Sequence, residues 1–282
     1  MSKKVRTVLI VFLGVVMLFS CAMIAKTVLR GKAEAQDFKN LAALTVMPPS
    51  TTSEAVLPSE RAEETMTEQN PAHSQLETSP ANNAGGEGES VPAEAVPVFT
   101  RNLSPLFERN SDCIGWLSIA DTSVDYPVMH TPEDPEKYLH LNFDGEYSSS
   151  GVPFLQYNCS LDSDNLIIFG HNMKNGAMFR ELLNYRLASY CTEHPTVEFE
   201  TARGLKRYSI FAVVQVPEDT DWYEFVDAYN EQDFSGWLDY ILPGAFYTVG
   251  ELPQYGQQIL TLSTCYGSGN TLRFLVLAVE AP

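Results

Sequence analysis

Two apolar segments near the C-terminus constrain the fold of this chain most. Ile259-Leu260-Thr261-Leu262-Ser263-Thr264-Cys265 is a run of apolar and β-branched residues ending on a cysteine, and Leu272-Arg273-Phe274-Leu275-Val276-Leu277 is a second run with an arginine near its start. Tyr266-Gly267-Ser268-Gly269-Asn270 lies between them. Short apolar runs bounded by turn residues read as buried strands, and the glycine-bearing connection reads as a loop or a hairpin. A thiol at one strand end then faces a guanidinium on the next strand. A thiolate needs a positive field to form near neutral pH, and a developing oxyanion needs a fixed donor, so this pairing suits acyl transfer. The stretch itself lacks a proton donor.

Other segments repeat the strand pattern. Residues 113–119, 124–129, 151–155 and 166–171 are short apolar runs, the second interrupted by Pro127, which places it at an edge or an end, and the fourth delivering His171 at its end. Residues 196–200 and 207–216 read as a hairpin around Arg203-Gly204. Helical spacing is confined to 103–110, a turn at 134–141, the segment 177–187, and 230–241, where Phe234, Trp237, Leu238 and Ile241 fall on one face. Seven or eight short strands with few helices predict a mostly antiparallel β-barrel or sandwich.

The first third of the chain is different. Residues 8–25 form an 18-residue uncharged run, about 27 Å long as a helix and long enough to span a hydrocarbon layer. A cleaved signal peptide is the competing reading, but the run exceeds the usual apolar core of about 7 to 15 residues and no small-residue cleavage site precedes Lys26. Residues 1–32 are therefore expected to be a membrane anchor with basic flanks. Three basic residues on each side leave its orientation open. Residues 33–98 are expected to form a disordered acidic Pro/Ser/Thr/Glu-rich stalk, since 41–98 hold nine glutamates and no aromatic residue. Order should begin near Phe99, with residues 99–282 forming one compact domain.

All 36 acidic residues lie beyond residue 32, against 12 basic ones there, a net of about −24 that disfavours nucleic-acid partners. Five cysteines without CxxC spacing suggest neither a disulfide framework nor a zinc site, so no metal or cofactor is expected.

Phe169-Gly170-His171-Asn172-Met173-Lys174-Asn175-Gly176-Ala177-Met178-Phe179 and Leu260-Thr261-Leu262-Ser263-Thr264-Cys265, with Gly115-Trp116-Leu117-Ser118-Ile119 and Asp125-Tyr126-Pro127-Val128 in support, resemble the sortases. These are membrane-anchored cysteine transpeptidases of Gram-positive bacteria, and the likeness, over residues 104–279, is to class B. It implies an eight-stranded β-barrel with an N-terminal helix and an inserted helix between the sixth and seventh strands, where 230–241 falls. It also implies roles: Cys265 as nucleophile, His171 as general acid and base, and Arg273 as stabiliser of the oxyanion and substrate. Ser263 and Thr264 would line the groove for the substrate peptide, and Tyr138 and Leu139 match a substrate-contacting segment.

The implied reaction cleaves the sorting signal of a surface protein, Asn-Pro-x-Thr-like in class B. The acyl group then passes from the Cys265 thioester to an amine of peptidoglycan precursor or of a pilin, with the enzyme on the outer side of the cell membrane. The chain departs from class B in two places. Pro135 replaces an asparagine at the start of the Tyr138 segment, and 266–272 contain no acid, which leaves Cys-His-Arg as the catalytic set.

Each group also has an ordinary role to set against this one. Cys113, Cys159 and Cys191 read as inert core thiols, His73, His130, His140 and His194 as satisfied surface or core residues, and Arg203 and Arg207 as barrel-rim ion pairs. Two other functions are compatible with the layout: a thiol peptidase that hydrolyses the acyl enzyme, and a non-catalytic surface-displayed binding module. A sorted substrate protein is expected to end in an apolar span and a basic tail, whereas this sequence ends at Val279-Glu280-Ala281-Pro282 after a strand.

Overall fold

The computed structural model describes residues 3–47, 97–267, 269 and 271–282. Nine strands follow one another: β1 Cys113–Ser118, β2 Asp125–Met129, β3 Phe154–Leu155, β4 Asn165–Phe169, β5 Thr196–Thr201, β6 Gly204–Pro217, β7 Ala245–Thr248, β8 Ile259–Tyr266 and β9 Leu272–Glu280. They pair in the order β5-β1-β2-β3-β4-β8-β9-β6-β7, and a further β5–β6 pairing closes eight of them into a barrel. The ninth, β7, lies against the far half of β6, beyond the end of β5. The barrel expected from the sequence is thus present, with one extra short strand. Its 14-residue β6 serves both neighbours by pairing with β5 over its first half and with β7 over its second.

Most pairings are antiparallel, but β2 runs parallel to β3 and β4 parallel to β8. The β4–β8 pairing shapes the site, because parallel neighbours end at the same rim. Pro127 sits at position three of β2, opposite Trp116 of β1, while β3 meets β2 only at Met129. The side of Pro127 without a donor therefore faces no ladder, as proline requires.

Among the described residues four α-helices accompany the barrel: α1 Lys3–Leu44, α2 Ser104–Arg109, α3 Ala188–Glu193 and α4 Glu231–Ile241. Helix α4 lies between β6 and β7, starts at Asn230, whose side chain accepts from the backbone N–H of Asp233, and buries Phe234, Leu238 and Ile241. The segments expected as helix at 134–141 and 177–187 are 3₁₀ turns at Lys137–Leu139 and Phe179–Arg186.

The N-terminal third corrects the sequence reading. Residues 33–44, expected in the disordered stalk, continue α1 to Leu44. Their polar composition hides a docking face: Leu41 is buried with Leu103, Leu106, Trp116, Met129, Tyr138 and Phe143, and Phe38 meets Tyr126 edge-on at 5.1 Å between ring centroids. The chain leaves at Met47 and is described again from Pro97, with Val46 paired to Arg101 and the amide of Asn102 donating to Thr45. The spacing between the apolar run and the barrel is therefore set by α1. The remainder of the expected stalk, residues 48–96, lies outside the described residues.

Candidate active site

The register of three adjacent strands assembles the site. In β4 and β8, Phe169 is level with Ser263, and past the end of β4 the chain stays beside β8 through hydrogen bonds from Gly170 to the Ser263 carbonyl and from Asn172 to the Cys265 carbonyl. In β8 and β9, Cys265 and Arg273 are direct partners. Level residues on neighbouring strands present their side chains on one face. The cysteine and arginine singled out in the sequence thus share one face at the rim, and the histidine lines the same cleft.

Local chemistry explains why the chain turns as it does after β4. A Cβ on Gly170 would come within 2.7 Å of the Phe179 ring, so only glycine fits there. Its amide donates to the Ser263 carbonyl at 3.1 Å, and the Thr264 hydroxyl donates to its carbonyl at 2.7 Å. Asn172 then donates through Nδ2 to the carbonyl of Cys265 at 2.9 Å. The histidine is held on both sides by hydrogen bonds to the strand that carries the cysteine.

His171 is partly buried, and its Nε2 lies 2.9 Å from the Leu139 carbonyl. A carbonyl only accepts, so Nε2 carries the proton, and the neutral ring keeps its lone pair on Nδ1. Burial depresses the His171 pKa below the ordinary histidine value; the Leu139 carbonyl opposes this, and the neighbouring His140 adds to it. His140 stacks on His171 with ring centroids 5.6 Å apart. The sequence reading gave His140 no such place, and nothing in its local pattern signals one.

Arg273 donates through Nη1 to the Leu272 carbonyl at 3.2 Å, and its Nη2 lies 3.5 Å from a carboxylate oxygen of Glu218. Glu218 follows β6, where Val216 is level with Arg273, and its amide donates to the Thr271 carbonyl. An acid, absent from 266–272, thus meets Arg273 from the other neighbour of β9. Only the register of β6 against β9 could have revealed it. The segment after Glu218 is fixed by a buried polar chain, in which Trp222 Nε1 donates to Thr261, Thr261 to Asn165, and Asn165 to the Phe225 carbonyl.

The three side chains open onto a cleft of about 450 Å³, also lined by Leu139, Phe154, Tyr223 and Glu224. Ser263 and Thr264 line it but are buried with their hydroxyls engaged, Ser263 with Tyr223 at 2.7 Å. Burial pushes the Tyr223 hydroxyl up to about 12, so it stays a neutral hydrogen-bonding group. Tyr138 lines the cleft, while its hydroxyl is engaged elsewhere, donating to Asp112 and accepting from Asn110. Leu139 lies in the cleft wall and serves His171 through its backbone.

Cys113, Cys159 and Cys191 are buried, and Arg203 and Arg207 pair with Asp162 and Glu198, as expected. His73 lies outside the described residues. Among the described residues no cluster of three or more His, Cys, Asp or Glu side chains is arranged to hold a metal.

An eight-stranded barrel carrying a thiol, an imidazole and a guanidinium around one cleft defines a class of cysteine-centred barrel proteins. The family model of the sortase domain matches residues 117–281, more than half of the chain, and the chain belongs to the sortase family. Sortase B of Listeria monocytogenes is 38% identical over 169 residues, covering 58% of this chain and 66% of that protein, just under two thirds of its length. Sortase B of Staphylococcus aureus is 29% identical over 185 residues, covering 63% and 75%. Among solved structures, sortase B of Clostridium perfringens superposes with a TM-score of 0.60 at 27% identity, over 64% of this chain and 100% of that one. A Staphylococcus aureus sortase B–substrate complex superposes with a TM-score of 0.58 at 26% identity, over 63% and 83%.

Proposed function

We propose that this protein is a class B-type cysteine transpeptidase. In this reading Cys265 is the nucleophile, His171 the general acid and base, and Arg273 the oxyanion donor. The observation that carries it is that the three residues line one cleft, Cys265 and Arg273 as cross-strand partners of β8 and β9 and His171 just past the end of β4.

The chemistry follows from those positions. The Cys265 thiol gives its proton to the neutral imidazole, and the thiolate attacks the scissile carbonyl carbon. The oxygen takes up negative charge and is met by the Arg273 guanidinium, whose planar fork offers two donors. As the C–N bond breaks, the imidazolium protonates the departing amine, leaving a thioester. An acceptor amine then attacks, His171 takes its proton, and the thiolate leaves. Burial that disfavours the imidazolium makes it a strong acid once formed, which suits donation to an amine leaving group.

The substrate is the sorting signal of a surface protein, Asn-Pro-x-Thr-like, and the acceptor is an amine of peptidoglycan precursor or of another protein. Helix α1 carries an apolar window of mean hydropathy 2.1, none of it buried against the protein, which supports a single membrane anchor; the placing of the barrel on the outer side follows from the proposed reaction on surface proteins. Incubating the protein with a library of sorting-signal peptides, and finding by mass spectrometry a thioester on Cys265 that an added amine resolves, tests the reading. Hydrolysis unaffected by amine would make the protein a thiol peptidase, and no adduct on Cys265 would remove the nucleophile.

A further inference from the structure

The catalytic histidine is braced by the helix that leads from the apolar segment. Glu34, on the docked part of α1, accepts hydrogen bonds from the Ser148 hydroxyl at 3.0 Å, the Ser149 amide at 3.3 Å and the Ser150 hydroxyl at 2.6 Å. Both hydroxyls are buried, so the carboxylate is a specific partner to three donors of one loop. That loop lies directly on the segment that holds His171. The Ser148 amide donates to the His140 carbonyl at 2.9 Å, and the Val152 amide to the Tyr138 carbonyl at 3.0 Å. Gly151, at φ +61°, sits so close that a Cβ would lie 2.4 Å from the Tyr138 oxygen and 2.6 Å from the Leu139 oxygen. The Leu139 carbonyl is the group that takes the His171 Nε2 proton.

The same helix also reaches the other side of the histidine. Phe38 rests edge-on against Tyr126, whose hydroxyl accepts from the Met178 amide at 3.1 Å. Met178 pairs with Asn172, and the Phe179 amide donates to the His171 carbonyl at 2.9 Å. Glu34 and Phe38 of α1 thus each stand one contact away from His171's surroundings, Glu34 through the 148–152 loop and Phe38 through Tyr126.

We infer that α1 belongs to the catalytic architecture, with Glu34 a positioning residue that fixes the tautomer and orientation of His171 through the 148–152 loop and the Leu139 carbonyl. The inference rests on the reading of His171 as the acid and base of the proposed reaction. Misplacing a catalytic group by about 1 Å can lower turnover about 10²-fold.

The test uses the full chain in detergent micelles, labelled with ¹⁵N-histidine, with the His171 signals assigned by their loss in His171→Gln. The wild-type ring is expected as a single Nε2–H tautomer above the histidine titration range. Glu34→Ala should give a mixed tautomer and a fall in kcat of roughly ten- to hundredfold with KM little changed. Glu34→Gln, whose amide oxygen can still accept from the loop, should restore most of both, and Lys39→Ala on the exposed face of the same helix should change neither. A purely structural role would lower the melting temperature and leave the tautomer and kcat as they were, and that result overturns the inference. If Glu34→Ala does not fold, Ser150→Ala removes one of the three donors, and an unchanged tautomer with unchanged kcat there overturns it equally. The tautomer is read without substrate, so a shifted ring in a protein that cleaves no sorting peptide would uphold the positioning role and sink the transpeptidase reading instead.

Discussion

Cys265 and Arg273 are direct cross-strand partners, so the β8–β9 ladder sets their backbones side by side. Cys265→Ala should therefore leave the barrel and its melting transition intact while abolishing the acyl adduct seen by mass spectrometry. Residual turnover in that variant would show that another group performs the attack.

Arg273 meets the Leu272 carbonyl and the Glu218 carboxylate through separate nitrogens of its planar fork. Lysine in its place keeps the charge but loses that geometry. Arg273→Lys should lower kcat by about 10²- to 10³-fold, the cost of one lost oxyanion donor at ~2.7–4 kcal/mol. Steady-state kinetics with a cleaved sorting peptide measure it, and a change confined to KM would assign the arginine to substrate binding.

Glu218 partly neutralises Arg273 from an exposed position, 3.5 Å away. Glu218→Gln should strengthen the positive field at Cys265 and speed alkylation of that thiol by iodoacetamide near neutral pH. The gain should be no more than about fivefold, because exposed ion pairs are worth at most ~1 kcal/mol. Slower alkylation would show that the carboxylate helps to form the thiolate.

His171 has a depressed pKa because burial disfavours its charged form. The unfolded chain then binds that proton more readily than the native one, so stability falls as pH drops through the ordinary value of 6.5. The loss ends once the native imidazole has also protonated. His171→Gln should remove this part of the pH dependence, so denaturation midpoints measured at about pH 7.5 and about pH 5 should lie closer together than in the wild type. An equal gap in both proteins would assign the acid sensitivity to other groups.

How far the sequence foretold this site depends on where the information lay. The strand pattern and the order of motifs brought out Cys265, His171 and Arg273, because each stands at or near a strand end in a local signal. Asn172 was visible as a motif letter, but its bond to the Cys265 carbonyl depends on the parallel register of β4 and β8. Glu218 and His140 were invisible for the same kind of reason, since one is brought by the β6–β9 ladder and the other by a ring stack between separate segments. The docked end of α1 was misread because charged and small residues dominate it, and only Phe38, Leu41 and Ala42 are packed on this cluster. Three contact residues in a polar stretch fall below what composition can detect.

That docked end fixes where the folded domain begins. A chain cut to residues 99–282 loses Leu41, which fills a pocket among Leu103, Leu106, Trp116 and Tyr138, and also loses Phe38 and Glu34. Removing one fully buried leucine side chain forfeits about 1.5–3 kcal/mol of burial and leaves its partners exposed. A chain cut to residues 33–282 keeps all three contacts and lacks the apolar run, its basic flanks and the Arg30–Tyr147 contact. Chemical denaturation should find the shorter protein less stable by at least about 2 kcal/mol, with more apolar surface open to a hydrophobic dye. Equal stability of the two proteins would show that α1 rests on the barrel without contributing to its fold.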